Sequence, residues 1–187
     1  EKAVKQSYEK VRDSEDLVAN AGQYLALCRF YFALEEEYNQ HKGVIDVDAL
    51  LSVATEYDFN FEVSLMNSIA KGLQISYPDI NELKDLYENN YEEALFLIEG
   101  NYLQFMSQKG FRFVLSGFFW EELLKYWFRE DATPQTLDSC FEIDGPSFEE
   151  FIAGYHSWLF EDNKHEMAAV LWGSVYVYEF LFQAGLI

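Results

Sequence analysis

The side chains able to do chemistry in this sequence are three histidines, two cysteines and an excess of carboxylates, 33 Asp and Glu against 13 Lys and Arg. His41, His156 and His165 lie far apart in the chain. His165-Glu166 begins as a zinc-protease motif does, but Ala169 stands where the second histidine belongs. The Glu-x-x-His pairs that build di-iron centres in helix bundles do not occur. Structural roles are therefore expected for all three histidines, with no metal and no cofactor. Cys140 sits between Asp138 and Glu142, with no base beside it to favour the thiolate, and makes a poor nucleophile. Cys28, within Ala26-Leu27-Cys28-Arg29-Phe30, reads as a small core residue, and two reduced thiols are expected.

Adjacent carboxylates occur at Glu92-Glu93, Glu121-Glu122, Glu149-Glu150 and Glu161-Asp162. On a helix, neighbours in sequence point about 100° apart, so such a dipeptide is not a catalytic pair. An Asp-Asp-x-x-Asp magnesium motif, a glycine-rich phosphate loop and a Gly-x-Ser-x-Gly elbow are all missing. The residues point to a protein that is not an enzyme.

The elements that must position these groups are helical. Leu17, Ala21, Tyr24, Cys28, Tyr31 and Leu34 follow three-four spacing within a segment from about Ala3 to Gln40, and Val18, Leu25 and Phe32 widen that apolar stripe. Glu35-Glu36-Glu37 should face solvent, and Gly43 should provide the left-handed cap. Asp46-Val47-Asp48 opens a second helix to about Tyr57, and a third spans about Phe61 to Lys71. Pro78 reads as a first-turn proline of a fourth, and Asn89-Asn90 separates it from a fifth, about Tyr91 to Gln108. Phe111 to Arg129 and Met167 to Ala184 are dense enough in apolar residues to lie near the centre. Ser147 with Glu150 reads as a capping box, after an exposed connector from Pro134 to Pro146. The fold expected is all-α, one domain over residues 1–187, a compact bundle of about seven to nine helices. Val175-Tyr176-Val177-Tyr178 alternates as a strand would, but within a longer helical run.

Composition excludes several classes. Half the 187 residues are hydrophobic and 18% are aromatic, too much apolar mass for intrinsic disorder. A net charge of −20 opposes direct nucleic-acid binding, which draws its affinity from phosphate attraction. Residues 167–187 are long enough to span a bilayer, but Glu179 lies within them and no basic cluster flanks them, so no membrane partner is expected. Glu1 to Asn20 lacks the apolar run of a signal peptide, and a cytoplasmic location is expected.

The charge is unevenly spread. Residues 130–163 carry nine acids and no Lys or Arg, and residues 85–108 carry five acids and no base. Clustering one sign raises self-repulsion and attracts a cationic partner. In size, charge and this base-free stretch, the chain resembles the small acidic helical immunity proteins with which bacteria neutralise basic nuclease toxins. That resemblance implies an inhibitor that covers the toxin's active or nucleic-acid-binding surface with carboxylates. The contact residues expected are Asp131, Asp138, Glu142, Asp144, Glu149 and Glu150, with Trp158 as an aromatic anchor. Three other readings are an assembly chaperone with an apolar groove, a DNA mimic, and a helical enzyme acting on an isoprenoid or lipid.

Overall fold

A computed structural model of the chain describes residues 15–41, 43–56, 62–75, 77–129, 136–157 and 164–187. Among them are eight helices and no strand: α1 (Glu15–Gln40), α2 (Val47–Glu56), α3 (Val63–Gly72), α4 (Ile80–Asn89), α5 (Tyr91–Gln108), α6 (Phe113–Trp127), α7 (Gly145–Ser157) and α8 (Lys164–Gln183). The architecture is the all-α bundle that the apolar periodicity predicts. Val175–Tyr178, despite its alternation, lies inside α8.

Short polar side chains set the helix starts by accepting from backbone N–H groups that have no partner within the helix. Asp46 accepts from Asp48 and Ala49 at 3.0 and 3.2 Å, and Asp79 from Asn81 and Glu82 at 2.9 and 3.1 Å. Asn90 accepts from Glu93 at 3.3 Å and so starts α5 directly after α4 ends. Pro78 therefore lies one residue outside the α4 cap rather than in its first turn. At the opposite end of α5, Gly110 adopts φ +88°, a conformation costly for any residue with a Cβ.

Two buried clusters make up the core. Phe30, Tyr31 and Leu34 of α1 pack with Leu50, Met66, Ile69, Leu103 and Phe113. Trp120, Trp127, Tyr102, Phe141, Phe180 and Leu181 anchor the second cluster. Helix α5 contributes to both and is buried on nearly every side from Ala94 to Met106. It, rather than α8, is the central helix. One side of α8 (Val170, Val177, Phe180, Leu181) is buried, whereas Leu171, Trp172, Val175 and Phe182 are exposed. No helix among the described residues is long and apolar enough to cross a membrane. Glu179, the charge within that apolar run, pairs with Lys109 at 2.8 Å.

Leu25 and Phe32 do not widen the buried stripe of α1; both are exposed. Cys28 is half-buried and Cys140 fully buried, and both are free thiols. Glu35 departs from the expected solvated acidic end of α1. It is buried, and Arg112 Nε donates to both of its carboxylate oxygens at 2.7 and 2.8 Å, tying α1 to the start of α6.

Helices α3 and α5 meet at backbone contact. A Cβ on Gly100 would lie 2.2 Å from the Ile69 carbonyl oxygen, and one on Gly72 would lie 2.1 Å from that of Leu97. Asn101 and Gln104 use this proximity: their side-chain amides donate to the carbonyls of Gly72, Ile75 and Leu73 where α3 ends. Gly100→Ala places a methyl group against backbone that has no room to move, a loss of about 3 kcal/mol. Urea unfolding should show it as a lower midpoint with an unchanged slope.

Candidate functional site

The predicted acidic surface is held from behind by aromatic side chains. Leu137, Cys140 and Phe141 point into the core, leaving Asp138, Glu142, Ile143 and Asp144 exposed. Tyr178 donates to the Phe141 carbonyl at 2.7 Å and receives a hydrogen bond from Trp127 Nε1 at 3.0 Å. Tyr126 grips Asp144 by its backbone: the phenol lies 3.2 Å from the carbonyl oxygen and 3.1 Å from the amide nitrogen, so it donates to the one and accepts from the other. Its ring packs against Phe148 and Phe151 of α7. Pro134 and Gln135 lie outside the described residues; the rest of the connector, 136–146, is buried at Leu137, Cys140 and Phe141, and this buried part fixes the geometry of the acids.

Glu142, Asp144, Glu149 and Glu150 are exposed together at the start of α7. Asp138 is exposed too, but pairs with Lys84 of α4 at 2.7 Å. Along α4, Lys84 lies among the exposed acids Glu82, Asp85 and Glu88. The base-free 138–150 surface thus meets Lys84 beside further acids at one end, and the charge of Arg129 reaches Asp144 at the other. The cap of α7 is Asp144, not Ser147: helix begins at Gly145, and the Asp144 carboxylate accepts from both the backbone and the hydroxyl of Ser147. Those two bonds hold the Asp144 carboxyl below the usual carboxylate range. Asp131 and Trp158 lie outside the described residues.

A second acidic group was not anticipated from the sequence. Glu99 on α5, only 3% exposed, and the half-buried Glu121 on α6 converge on the hydroxyl of the fully buried Tyr31 from α1. Tyr31 donates to Glu99 through a short hydrogen bond and lies 3.3 Å from Glu121. The phenol has one proton, so a hydrogen bond between Tyr31 and Glu121 at the same moment needs a protonated Glu121 as donor. Burial, and then the charge of Glu121, push the Glu99 carboxyl up to about 8; burial also raises Glu121 and Tyr31. The acidic stretch 85–108 is thus not one solvated face. Glu99 lies on its inward side, in register with Leu95 and Tyr102, and this i, i+4 and i, i+3 spacing was the available signal.

Beside these carboxyls is a cavity of about 250 Å³. One wall is an α5 stripe at i, i+3, i+4 and i+7: Glu92, Leu95, Phe96 and Glu99. Trp120, Glu121 and Leu124 of α6 form the other, with Leu65 of α3 between them. Among the described residues, no group of three or more His, Cys, Asp or Glu side chains is placed to hold a metal ion. Buried Cys140 has its thiol pushed up to about 12 by desolvation, leaving it mostly protonated at neutral pH.

No protein-family model matches the chain, and neither does any curated protein or solved structure.

The raised Glu99 fixes the sign of a pH effect. The folded state retains a proton that the unfolded chain releases near its ordinary carboxyl range. Its stabilising contribution is complete below that range and is lost as pH rises toward about 8. Glu99→Gln keeps the acceptor for Tyr31 and removes the titration. Urea midpoints at a series of pH values should fall between about pH 5 and pH 8 for the native protein and less steeply for the variant.

Proposed function

We propose that this protein binds and inhibits a basic protein, a nuclease-type toxin, as immunity proteins do. The observation carrying this reading is the exposed set Glu142, Asp144, Glu149 and Glu150. It lies on backbone fixed by Tyr126 and Tyr178, within a stretch that has no Lys or Arg from residue 130 to 163. A surface already ordered before binding loses little conformational freedom in the complex. Its carboxylates would steer a cationic partner and pair with its Lys and Arg, while Ile143, exposed among them, would contact an apolar spot. Inhibition would be steric and electrostatic, without cofactor or catalysis, in the cytoplasm of the producing cell.

A specific observation favours a second reading, a chaperone for an apolar client: Leu171, Trp172, Val175 and Phe182 are exposed along α8, Phe182 by 72%. Salt separates the two. Carboxylate-driven association slows as ionic strength rises, whereas a client held by apolar contact resists salt and binds with a large negative heat-capacity change.

The test is capture from the source cell at low salt with elution along a salt gradient. Expected is one basic protein that is toxic when expressed alone and harmless when co-expressed with this chain. The triple variant Glu142→Lys, Glu149→Lys, Glu150→Lys leaves the Asp144 cap intact. It should slow association with that protein about tenfold or more at low salt, and the difference should shrink at high salt. An unchanged association rate contradicts the proposal.

A further inference from the structure

We propose that the outward face of α8 pairs with the same face of a second copy of this chain, the two helices running antiparallel about a two-fold axis near Val175. A surface helix normally carries charge on the side opposite its core stripe. On that side α8 instead presents Ala168, Leu171, Trp172, Val175 and Phe182 to solvent, with Val175 64% and Phe182 72% exposed. Glu179 is the only charged side chain from residue 167 to residue 187. The face is rigid before it meets anything. Trp172 is held edge-on by Phe111, Phe119 and Tyr176, with ring centroids 5.5, 5.8 and 4.9 Å away. A Cβ on Gly173 would lie 2.3 Å from the Phe119 ring, so α8 and α6 are in close contact beneath it.

Spacing, charge and size identify the occupant. Ala168, Trp172, Val175, Glu179 and Phe182 alternate steps of four and three, the 3.5-residue repeat with which one helix seats against another. Antiparallel pairing about Val175 sets Ala168, the smallest exposed side chain of the face, opposite Phe182, its most exposed ring, on both sides of the axis. The one acid of the seam is already neutralised, because Lys109 pairs with Glu179 at 2.8 Å. Parallel pairing would set Glu179 against its own copy, whereas the antiparallel register sets it against Leu171. A chain of net charge −20 repels a second copy and can approach it closely only where charge is absent or paired, as it is here. The face is about 22 Å long on each copy, and exposed Leu115, one turn before Phe119 on α6, widens it. Two such faces bury on the order of 1,000 Å² in all, the lower bound for a specific interface.

Other occupants fit this face less well. A basic protein would find one carboxylate there, already paired, and would have to desolvate its own Lys and Arg against apolar side chains. An anionic lipid surface repels a chain of this charge. Salt gives self-pairing a signature of its own. Screening weakens attraction between the α7 acids and a basic partner, but it also weakens repulsion between two copies of the chain. The dimer should therefore tighten as ionic strength rises, the opposite of carboxylate-driven binding.

Sedimentation equilibrium of the native chain from about 5 to about 500 µM, at about 50 mM and about 500 mM salt, reads both the pairing and its salt dependence. Expected is a mass that rises with concentration from 21.9 kDa toward twice that value, with the smaller dissociation constant at high salt. Val175→Glu puts two like charges on the axis and should weaken the dimer about tenfold or more. Residue 175 lies outside the core, so the urea midpoint of that variant at dilute, monomeric concentration should match the native one. Phe182→Ala removes the largest contact and should also weaken pairing about tenfold. Adding Ala168→Phe to it restores a small side chain opposite a large one and should recover part of the loss. A double variant no tighter than Phe182→Ala alone overturns the antiparallel register. A single species of 21.9 kDa at every concentration and both salts overturns the proposal, whether an apolar client or another segment of the chain covers α8 instead. So does a dimer that Val175→Glu leaves as tight as before, or one that salt weakens.

Discussion

Glu99 has almost no access to water and faces a second carboxyl across a single phenolic hydroxyl. Two adjacent negative charges at such a site would be prohibitively costly, so the pair retains a proton, and the Tyr31 hydroxyl stands between them. This arrangement dictates how three helices meet. Tyr31 must cross from α1 to reach both acids, and α6 must yield the space. Gly117 provides it: a Cβ there would lie 2.2 Å from the Tyr31 ring. The central α5 thus carries a polar group at the point where α1 and α6 close over it.

The chain handles its acids in contrasting ways according to what each one faces. Glu35 is also buried, but the Arg112 guanidinium meets it, its Nε–H shared between both carboxylate oxygens. Glu179, in the apolar run of α8, finds Lys109, and Asp138 finds Lys84. Asp144 remains ionised at the start of α7, where Ser147 donors favour the charged form. Glu142, Glu149 and Glu150 stay in water. Glu99 and Glu121 follow another course and share a proton-bearing cluster beside a cavity. Charge is therefore displayed at the α7 face and suppressed in the interior, although both regions look equally acidic in sequence.

Most of the helical layout was legible because it rests on local physics. Asp46, Asp79 and Asn90 are short acceptors at helix starts, and their capping follows from side-chain length alone. The exposure of Glu142, Glu149 and Glu150 followed from their place in the Pro134–Pro146 connector and the helix start after it, within the base-free stretch 130–163. Tertiary partners were not legible. The Arg112 that buries Glu35 is 77 residues away, and Tyr31 lies 68 and 90 residues from its two carboxyls. Glu121 finds a companion carboxyl, Glu99, on another helix, which its sequence neighbour Glu122 does not signal. Apolar density placed α8 at the centre, but density does not tell which side of a helix is covered, and its outward stripe remains exposed.

The central claim is that the Glu99–Glu121 pair is protonated in the folded protein at neutral pH. A carbon-13 NMR titration of glutamate side-chain carboxyls, assigned by comparison with Glu99→Gln, tests it most directly. Expected at pH 7 is a proton still held by the pair, with at least one of the Glu99 and Glu121 resonances away from its ionised position and the two moving together only as pH approaches about 8. Both resonances already ionised at pH 6, each titrating in the ordinary glutamate range, would contradict it.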